Sequence, residues 1–210
     1  MNSEQIQDSD CLLVIDVQND FCVGGALEVP RGDDVVPVIN SLIPLFSTVV
    51  LTQDWHPEQH SSFASEHDNR KPLDVINVAY GEQTLWPDHC IQGSKGAKFH
   101  PNLNSNSAQM IVRKGFRKAI DSYSAFFEND KTTATGLLGY LKERKVQRVF
   151  CVGLATDFCV RFSAEDAKKS GFDTSVLLSG CRGIDINGSI ATACNAMSQL
   201  GIHVLDDAPA

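Results

Sequence analysis

The sequence predicts an α/β protein of three layers, α/β/α, in which a mostly parallel six-stranded sheet lies between helices. Two observations carry this. Short, nearly uninterrupted apolar runs recur along the 210 residues, as strands buried on both faces require. Between most of them lie segments whose apolar residues fall at helical spacing, and strand–helix alternation is the pattern of a parallel sheet covered on both sides.

The first strand is read at Cys11 to Val17, bounded by Asp10 and the polar Gln18-Asn19-Asp20. Val35, Ile39, Leu42 and Phe46 then share one helical face; Pro37 suits the start of that helix, and Pro44 should kink or end it. Val49 to Thr52 is the second strand. From Gln53 to Gln109 periodicity lapses among Trp, His, Pro, Gly and Asn residues. Such a length is unusual for a structureless connection and points to function, so residues 53–109 are expected to form an irregular excursion over the active face. Met110 to Arg113 is the third strand, and Leu137, Leu138 and Leu141 mark a helix before a fourth strand at Arg148 to Val152. Val160, Ala164 and Ala167 mark the next helix, which Gly171 can end in a left-handed cap. Val176 to Leu178, a helix carrying Ile190, Ala193, Cys194 and Met197, and a last strand at His203 to Leu205 complete the series. Residues 1–210 read as one domain.

A net charge of −8, from 18 basic and 26 acidic residues, argues against nucleic acid or an anionic membrane as partner. No apolar run is long enough to span a bilayer. The stretch Met1 to Asp10 is polar and acidic, without the features of a secretory signal, so a cytoplasmic setting is expected. Seven cysteines follow no disulfide or zinc-finger spacing, which suits a reducing compartment. Cys11, Cys151 and Cys194 read as small buried hydrophobes.

Ligands of parallel sheets bind at the carboxyl ends of the strands. Those ends carry Asp16, Asp54, Lys114 and, just beyond the fourth, Cys159. Each alone has a plain structural explanation. Together they bring a thiol, carboxylates and an ammonium to one rim, where a cation and a helix start favour a thiolate and a carboxylate can take its proton. Backbone N–H groups at that helix start could also hold an oxyanion. Asp54 and His56 share one side of an extended segment, and His89 could complete a carboxylate–imidazole–imidazole set suited to zinc, iron or manganese. On spacing alone the two histidines could equally be ordinary loop residues.

The ordered motifs Asp16-Val17-Gln18-Asn19-Asp20-Phe21, Asp54-Trp55-His56-Pro57, Trp86-Pro87-Asp88-His89-Cys90, Lys114-Gly115 and Gly153-Leu154-Ala155-Thr156-Asp157-Phe158-Cys159 resemble those of nicotinamidases in the isochorismatase-like cysteine hydrolase family. The resemblance runs from about Cys11 to Leu205. It implies the isochorismatase-like fold, a catalytic triad at Asp16, Lys114 and Cys159, and an oxyanion hole at the N–H groups of Ala155 and Cys159 with a cis Leu154–Ala155 peptide. It further implies one divalent metal ion on Asp54, His56 and His89, zinc or iron ahead of manganese, and a ring site flanked by Phe21 and Trp86. His60 stands outside this set, because its context Glu58-Gln59-His60-Ser61 differs, although some members use an additional histidine in this loop. The activity implied is hydrolysis of nicotinamide to nicotinate and ammonia through a cysteine thioester, in NAD salvage, with pyrazinamide as a close analogue. The small-molecule substrate is the one partner implied, and both monomer and homo-oligomer stay open. An N-carbamoyl-amine or ureido-acid hydrolase of the same fold would share the triad but usually lack the metal set. An isochorismatase would replace the cysteine, and a non-catalytic metal-binding module would not need the triad.

Overall fold

Six strands form one sheet in which every neighbouring pair runs parallel, in a computed structural model that describes residues 5–209. They are β1 (Asp10–Ile15), β2 (Thr48–Asp54), β5 (Met110–Lys114), β6 (Arg148–Leu154), β7 (Asp173–Arg182) and β8 (His203–Leu205), while β3 (Val75–Val78) and β4 (Gly81–Thr84) make a separate antiparallel hairpin. The sheet order is β5-β2-β1-β6-β7-β8. Every residue of β1 and β2 is buried, as expected of central strands in a sheet with both faces covered.

Four helices cover that sheet: α1 (Val35–Leu42), α2 (Leu137–Glu143), α3 (Arg161–Lys169) and α4 (Ser189–Gln199). Both α1 and α3 pack on β6 and β7, and α4 packs on α3 and β8. The β1–α1–β2 and β6–α3–β7 crossovers step in opposite directions along the sheet, so right-handed connections put α1 and α3 on opposite faces and give the three layers. No helix among the described residues is long and apolar enough to cross a membrane.

Several boundaries differ from the sequence reading. β1 stops at Ile15 rather than Val17, because Asp16 turns into the left-handed region at φ 49°. Phe46 falls outside α1, since Pro44 ends the helix and Ile43–Leu45 tighten into a 3₁₀ turn. β7 spans ten residues instead of three, with a register shift against β6 between Cys151 and Gly153. The excursion is less irregular than expected, because it contains the β3–β4 hairpin. Cys194 is only half-buried. The first part of the polar N-terminal stretch, Met1 to Glu4, lies outside the described residues.

One close approach sets the site. β1 and β6 pair with Ile15 opposite Gly153, and a Cβ on Gly153 would lie 2.1 Å from the Ile15 carbonyl oxygen. Gly153 also has φ +117°, a region open to glycine and costly for other residues. The ends of β1 and β6, which lead to Asp16 and Ala155, are therefore drawn tightly together.

Candidate active site

β2 and β5 end in register, with Asp54 opposite Lys114. Asp16 follows β1 on the adjacent strand, and Cys159 lies in a π-helical turn, Thr156–Val160, that links β6 to α3. The thiol is thus one turn ahead of α3 rather than in the first turn of a regular α-helix. The peptide bond Leu154–Ala155 is cis, and the Ala155 carbonyl accepts hydrogen bonds from the N–H groups of Phe158 and Val160 at 3.1 Å each.

Lys114 is the hub. Its fully buried ammonium donates to Asp54 Oδ1 at 2.5 Å, to the Ser122 carbonyl at 2.8 Å and to Cys159 Sγ at 3.5 Å. Asp16 Oδ2 forms an ion pair with the same nitrogen at 2.9 Å but has no well-angled hydrogen bond. Asp16 Oδ1 instead accepts the Thr52 hydroxyl at 2.6 Å. One Asp16 oxygen is therefore held by the Thr52 hydroxyl, while the other is ion-paired with Lys114 but accepts no well-angled hydrogen bond and can take a proton. A carboxylate oxygen from each of Asp16 and Asp54 and the Cys159 sulfur all lie within 4.8 Å of one another.

Burial sets the proton affinities here. It pushes the Cys159 thiol well up, with Lys114 pulling the other way and Asp16 and Asp54 adding to the rise. Burial also raises Asp16 against the pull of Lys114. Burial opposes charge on Lys114 and Asp54, yet their mutual attraction, with Asp16 also acting on Lys114, holds the ammonium well above its usual range and the Asp54 carboxyl well below. Burial therefore acts against the thiolate that Lys114 and the helix start favour. A proton moved from Cys159 to Asp16 leaves the charge of the cluster unchanged, whereas a proton lost to solvent would add a buried negative charge.

Asp54 faces two ways. Its Oδ2 lies 3.5 Å from His56 Nε2 and 3.7 Å from His89 Nε2. His56 Nδ1 is 2.9 Å from the Gly115 carbonyl and His89 Nδ1 is 2.8 Å from the Pro87 carbonyl. Because a carbonyl only accepts, both Nδ1 atoms carry hydrogen, and in the neutral rings it is the Nε2 lone pairs that turn toward the carboxylate. Buried His56 Nε2 has no hydrogen-bond partner. Two ring nitrogens and an anionic oxygen converging in this way fit a divalent cation, and ring nitrogens anchored on carbonyls are the usual support for metal-binding imidazoles.

His60 is differently placed. Its Nε2 lies 3.0 and 3.2 Å from the Arg117 and Ile120 carbonyls, and its Nδ1 is 2.7 Å from the Ser62 hydroxyl. Both nitrogens are engaged, and the ring instead packs on His56 with centroids 4.3 Å apart. Cys22, Asp33 and His100 also form a compact group. There the Asn102 N–H donates to His100 Nδ1 and Nε2 faces Asp33, so the lone pair needed for a metal is absent.

The pocket above these groups is lined by Phe21, Leu27, Trp86, His89, Tyr123 and Phe158, with Asp54, Asp121, Ala155, Cys159 and Ile184 completing it. Phe21 meets His89 edge-on at 5.5 Å, and Trp86 stands perpendicular to Phe158 at 4.9 Å. The Trp86 indole N–H donates to the Tyr123 hydroxyl at 3.1 Å. Asp16, Phe21, Asp54, His56, Trp86, His89, Lys114, Ala155 and Cys159 therefore lie together at this one rim. The sequence reading missed Leu27, Asp121, Tyr123, Phe158 and Ile184 as walls, and Thr52 and Ser122 as supports of Asp16 and Lys114. Phe158 had a signal, since it directly precedes the thiol; Tyr123 and Ser122 lie in a stretch without periodicity.

A parallel α/β sheet with a buried thiol–carboxylate–ammonium cluster beside a carboxylate and two imidazoles narrows the class. The model of the isochorismatase domain matches residues 10–209, and the chain belongs to that family. Among its relatives, the nicotinamidase of Acinetobacter baylyi is 51% identical over 198 residues, covering 94% of this chain and 92% of its own. The solved nicotinamidase/pyrazinamidase of Acinetobacter baumanii superposes with a TM-score of 0.93 at 53% identity, over 95% of this chain and 96% of that one. The pyrazinamidase of Pyrococcus horikoshii, solved in complex with zinc, gives a TM-score of 0.78 at 34% identity, over 94% of this chain and 98% of that one.

Proposed function

We propose that this protein is a metal-containing nicotinamidase, which hydrolyses nicotinamide to nicotinate and ammonia and acts on pyrazinamide as an analogue. The observation that carries this reading is the position of the Lys114 ammonium, 2.9 Å from Asp16, 3.5 Å from Cys159 and 2.5 Å from Asp54. It joins a nucleophile–base pair to the candidate metal ligands beneath an aromatic pocket. The names of relatives at high identity and near-complete coverage support the same reading.

In this mechanism Asp16 accepts the Cys159 proton, and the resulting thiolate attacks the carboxamide carbon. The N–H groups of Ala155 and Cys159 hold the oxyanion. Protonated Asp16 gives its proton to the departing nitrogen, releasing ammonia and leaving a thioester. Asp16 then takes a proton from water, whose hydroxide oxygen attacks the thioester. Collapse releases nicotinate, and Cys159 regains its proton. Lys114 compensates the negative charge in each state. Phe21 and Trp86 flank the ring, each contact worth about 1 kcal/mol beyond area burial. Asp54, His56 and His89 would hold one divalent ion, zinc or iron first, which supplies a Lewis-acid site able to orient the ring nitrogen. We take the chain to act as one domain, with residues 53–109 contributing His56, Trp86 and His89, and the cytoplasm as its setting.

The test is ammonia release from nicotinamide by the metal-loaded protein, the chelated protein and Cys159→Ala. Loss of activity on chelation, restored by metal, with a fall of several orders of magnitude for Cys159→Ala is expected. Activity on N-carbamoyl amines that survives chelation would favour the other hydrolases of the fold. Undiminished turnover in Cys159→Ala would overturn the scheme.

A further inference from the structure

Asp20 touches none of the reacting groups, yet its bonds reach several parts of the ring site. Its Oδ2 accepts the Cys90 N–H at 2.7 Å and its Oδ1 accepts the Ala26 N–H at 3.2 Å. Its own N–H donates to the Gly96 carbonyl at 3.1 Å, and its carbonyl accepts the Leu27 N–H at 2.9 Å. Cys90 directly follows His89, takes a left-handed φ of 48°, and uses its carbonyl to accept the His56 N–H at 3.1 Å. Through this one residue, the Asp20 carboxylate fixes backbone adjoining both imidazoles. On its other side Asp20 precedes Phe21 and holds Leu27, two walls of the pocket.

The surroundings are shaped to this carboxylate. A Cβ on Gly96 would lie 2.0 Å from Asp20 Oδ2, and one on Gly25 would lie 2.3 Å from the Asp20 carbonyl oxygen. Gly96 has no left-handed φ, so a methyl group there is refused by space alone.

We propose that Asp20 is a positioning residue that locks the Phe21–Leu27 wall to the backbone of His56 and His89, so that metal retention and ring binding depend on its carboxylate while the thiol chemistry does not. This rests on the nicotinamidase reading of the site. Two consequences separate it from a general contribution to stability. Metal affinity should fall in the resting protein, before any substrate is added. In addition, a methyl on Gly96 should reproduce the loss by displacing the carboxylate, and should do nothing further once the carboxylate is gone.

The experiment uses the full chain loaded with zinc. Zinc affinity is measured by competition with a chromogenic chelator, and KM and kcat for nicotinamide at saturating zinc. The variants are Asp20→Asn, Asp20→Ala, Gly96→Ala and the double variant Asp20→Ala/Gly96→Ala. Asp20→Ala should hold zinc about 10-fold more weakly or worse, as for other groups that support metal ligands, and its KM should rise by more than its kcat falls. Asp20→Asn keeps one acceptor and should lie between it and the unaltered protein, which also serves if Asp20→Ala does not fold. Gly96→Ala should match Asp20→Ala, and the double variant should be no worse than either single one, the mark of a shared interaction. Unchanged zinc affinity and KM in Asp20→Asn and Asp20→Ala, or full additivity in the double variant, would sink the positioning role alone. An unaltered protein that neither retains zinc nor releases ammonia would instead sink the reading of the site on which it rests.

Discussion

Lys114 places one positive charge among two carboxylates and a thiol, all of them buried. Its value follows from what its removal would leave. Without the ammonium, Asp16 and Asp54 would face each other as buried anions, and one of them would have to take up a proton to persist. Breaking a buried pair from one side typically costs about 3–5 kcal/mol, far more than replacing the whole pair. Lys114→Met should therefore lower the unfolding free energy at neutral pH by about that amount and abolish turnover. The deficit should shrink in Asp16→Asn/Lys114→Met, where a single carboxylate remains. Urea denaturation of the two proteins checks this, and an unperturbed stability in Lys114→Met would show that the ammonium does not organise the cluster.

At the scale of elements, the site depends on how closely β1 and β6 approach. Gly153→Ala would place a methyl group 2.1 Å from the Ile15 carbonyl on a backbone that disfavours side chains. The strands must separate there, and Asp16 and Ala155 separate with them. The expected outcome is a loss of more than 4 kcal/mol in chemical denaturation or failure to fold; a stable, fully active Gly153→Ala would refute the importance of that approach. The strands that carry the site were legible in the sequence for the same reason that they are rigid. Burial on both faces leaves a continuous apolar run such as Leu12-Leu13-Val14-Ile15, with the functional residue as the first polar group after it. The β3–β4 hairpin was not legible, because much of its Val75–Val78 strand is exposed or half-exposed and no buried face imposes alternation on it. Thr52, Ser122 and Gln18 escaped notice on different grounds. Gln18 pairs both backbone groups of Asp54 with its side-chain amide at 2.8 Å, a role fixed by chain geometry across the sheet rather than by any local pattern. The upward push of burial on the Cys159 thiol was also beyond sequence reasoning, since it depends on how deeply the surrounding chain buries the sulfur.

Across the whole molecule, the buried titratable groups push stability in one direction at alkaline pH. Burial raises Cys11, Cys22 and Cys181 from an ordinary value of 9.0 to about 12, and Lys114 is likewise held well above its usual range, where its carboxylate partners outweigh burial. Between these two limits the unfolded chain releases protons that the folded chain retains. Fewer protons on the unfolded state means that the unfolding free energy falls as pH rises. The contribution is complete below the unfolded pKa and is lost as pH climbs through the folded one. At pH 10 each such thiol, one unit above its unfolded pKa, should have cost about 1.4 kcal/mol relative to neutral pH. Three of them acting together should lower stability by at least about 4 kcal/mol, since Cys90, Cys151, Cys159 and Lys114 are shifted the same way and add to the fall. Urea denaturation at pH 8 and pH 10 measures the fall, and Cys11→Ala isolates one share of it. That variant carries a constant packing penalty at both pH values, but its decline between them should be smaller than that of the unaltered protein by about 1.4 kcal/mol. An identical decline in both proteins would mean that Cys11 ionises as readily in the folded chain as in the unfolded one.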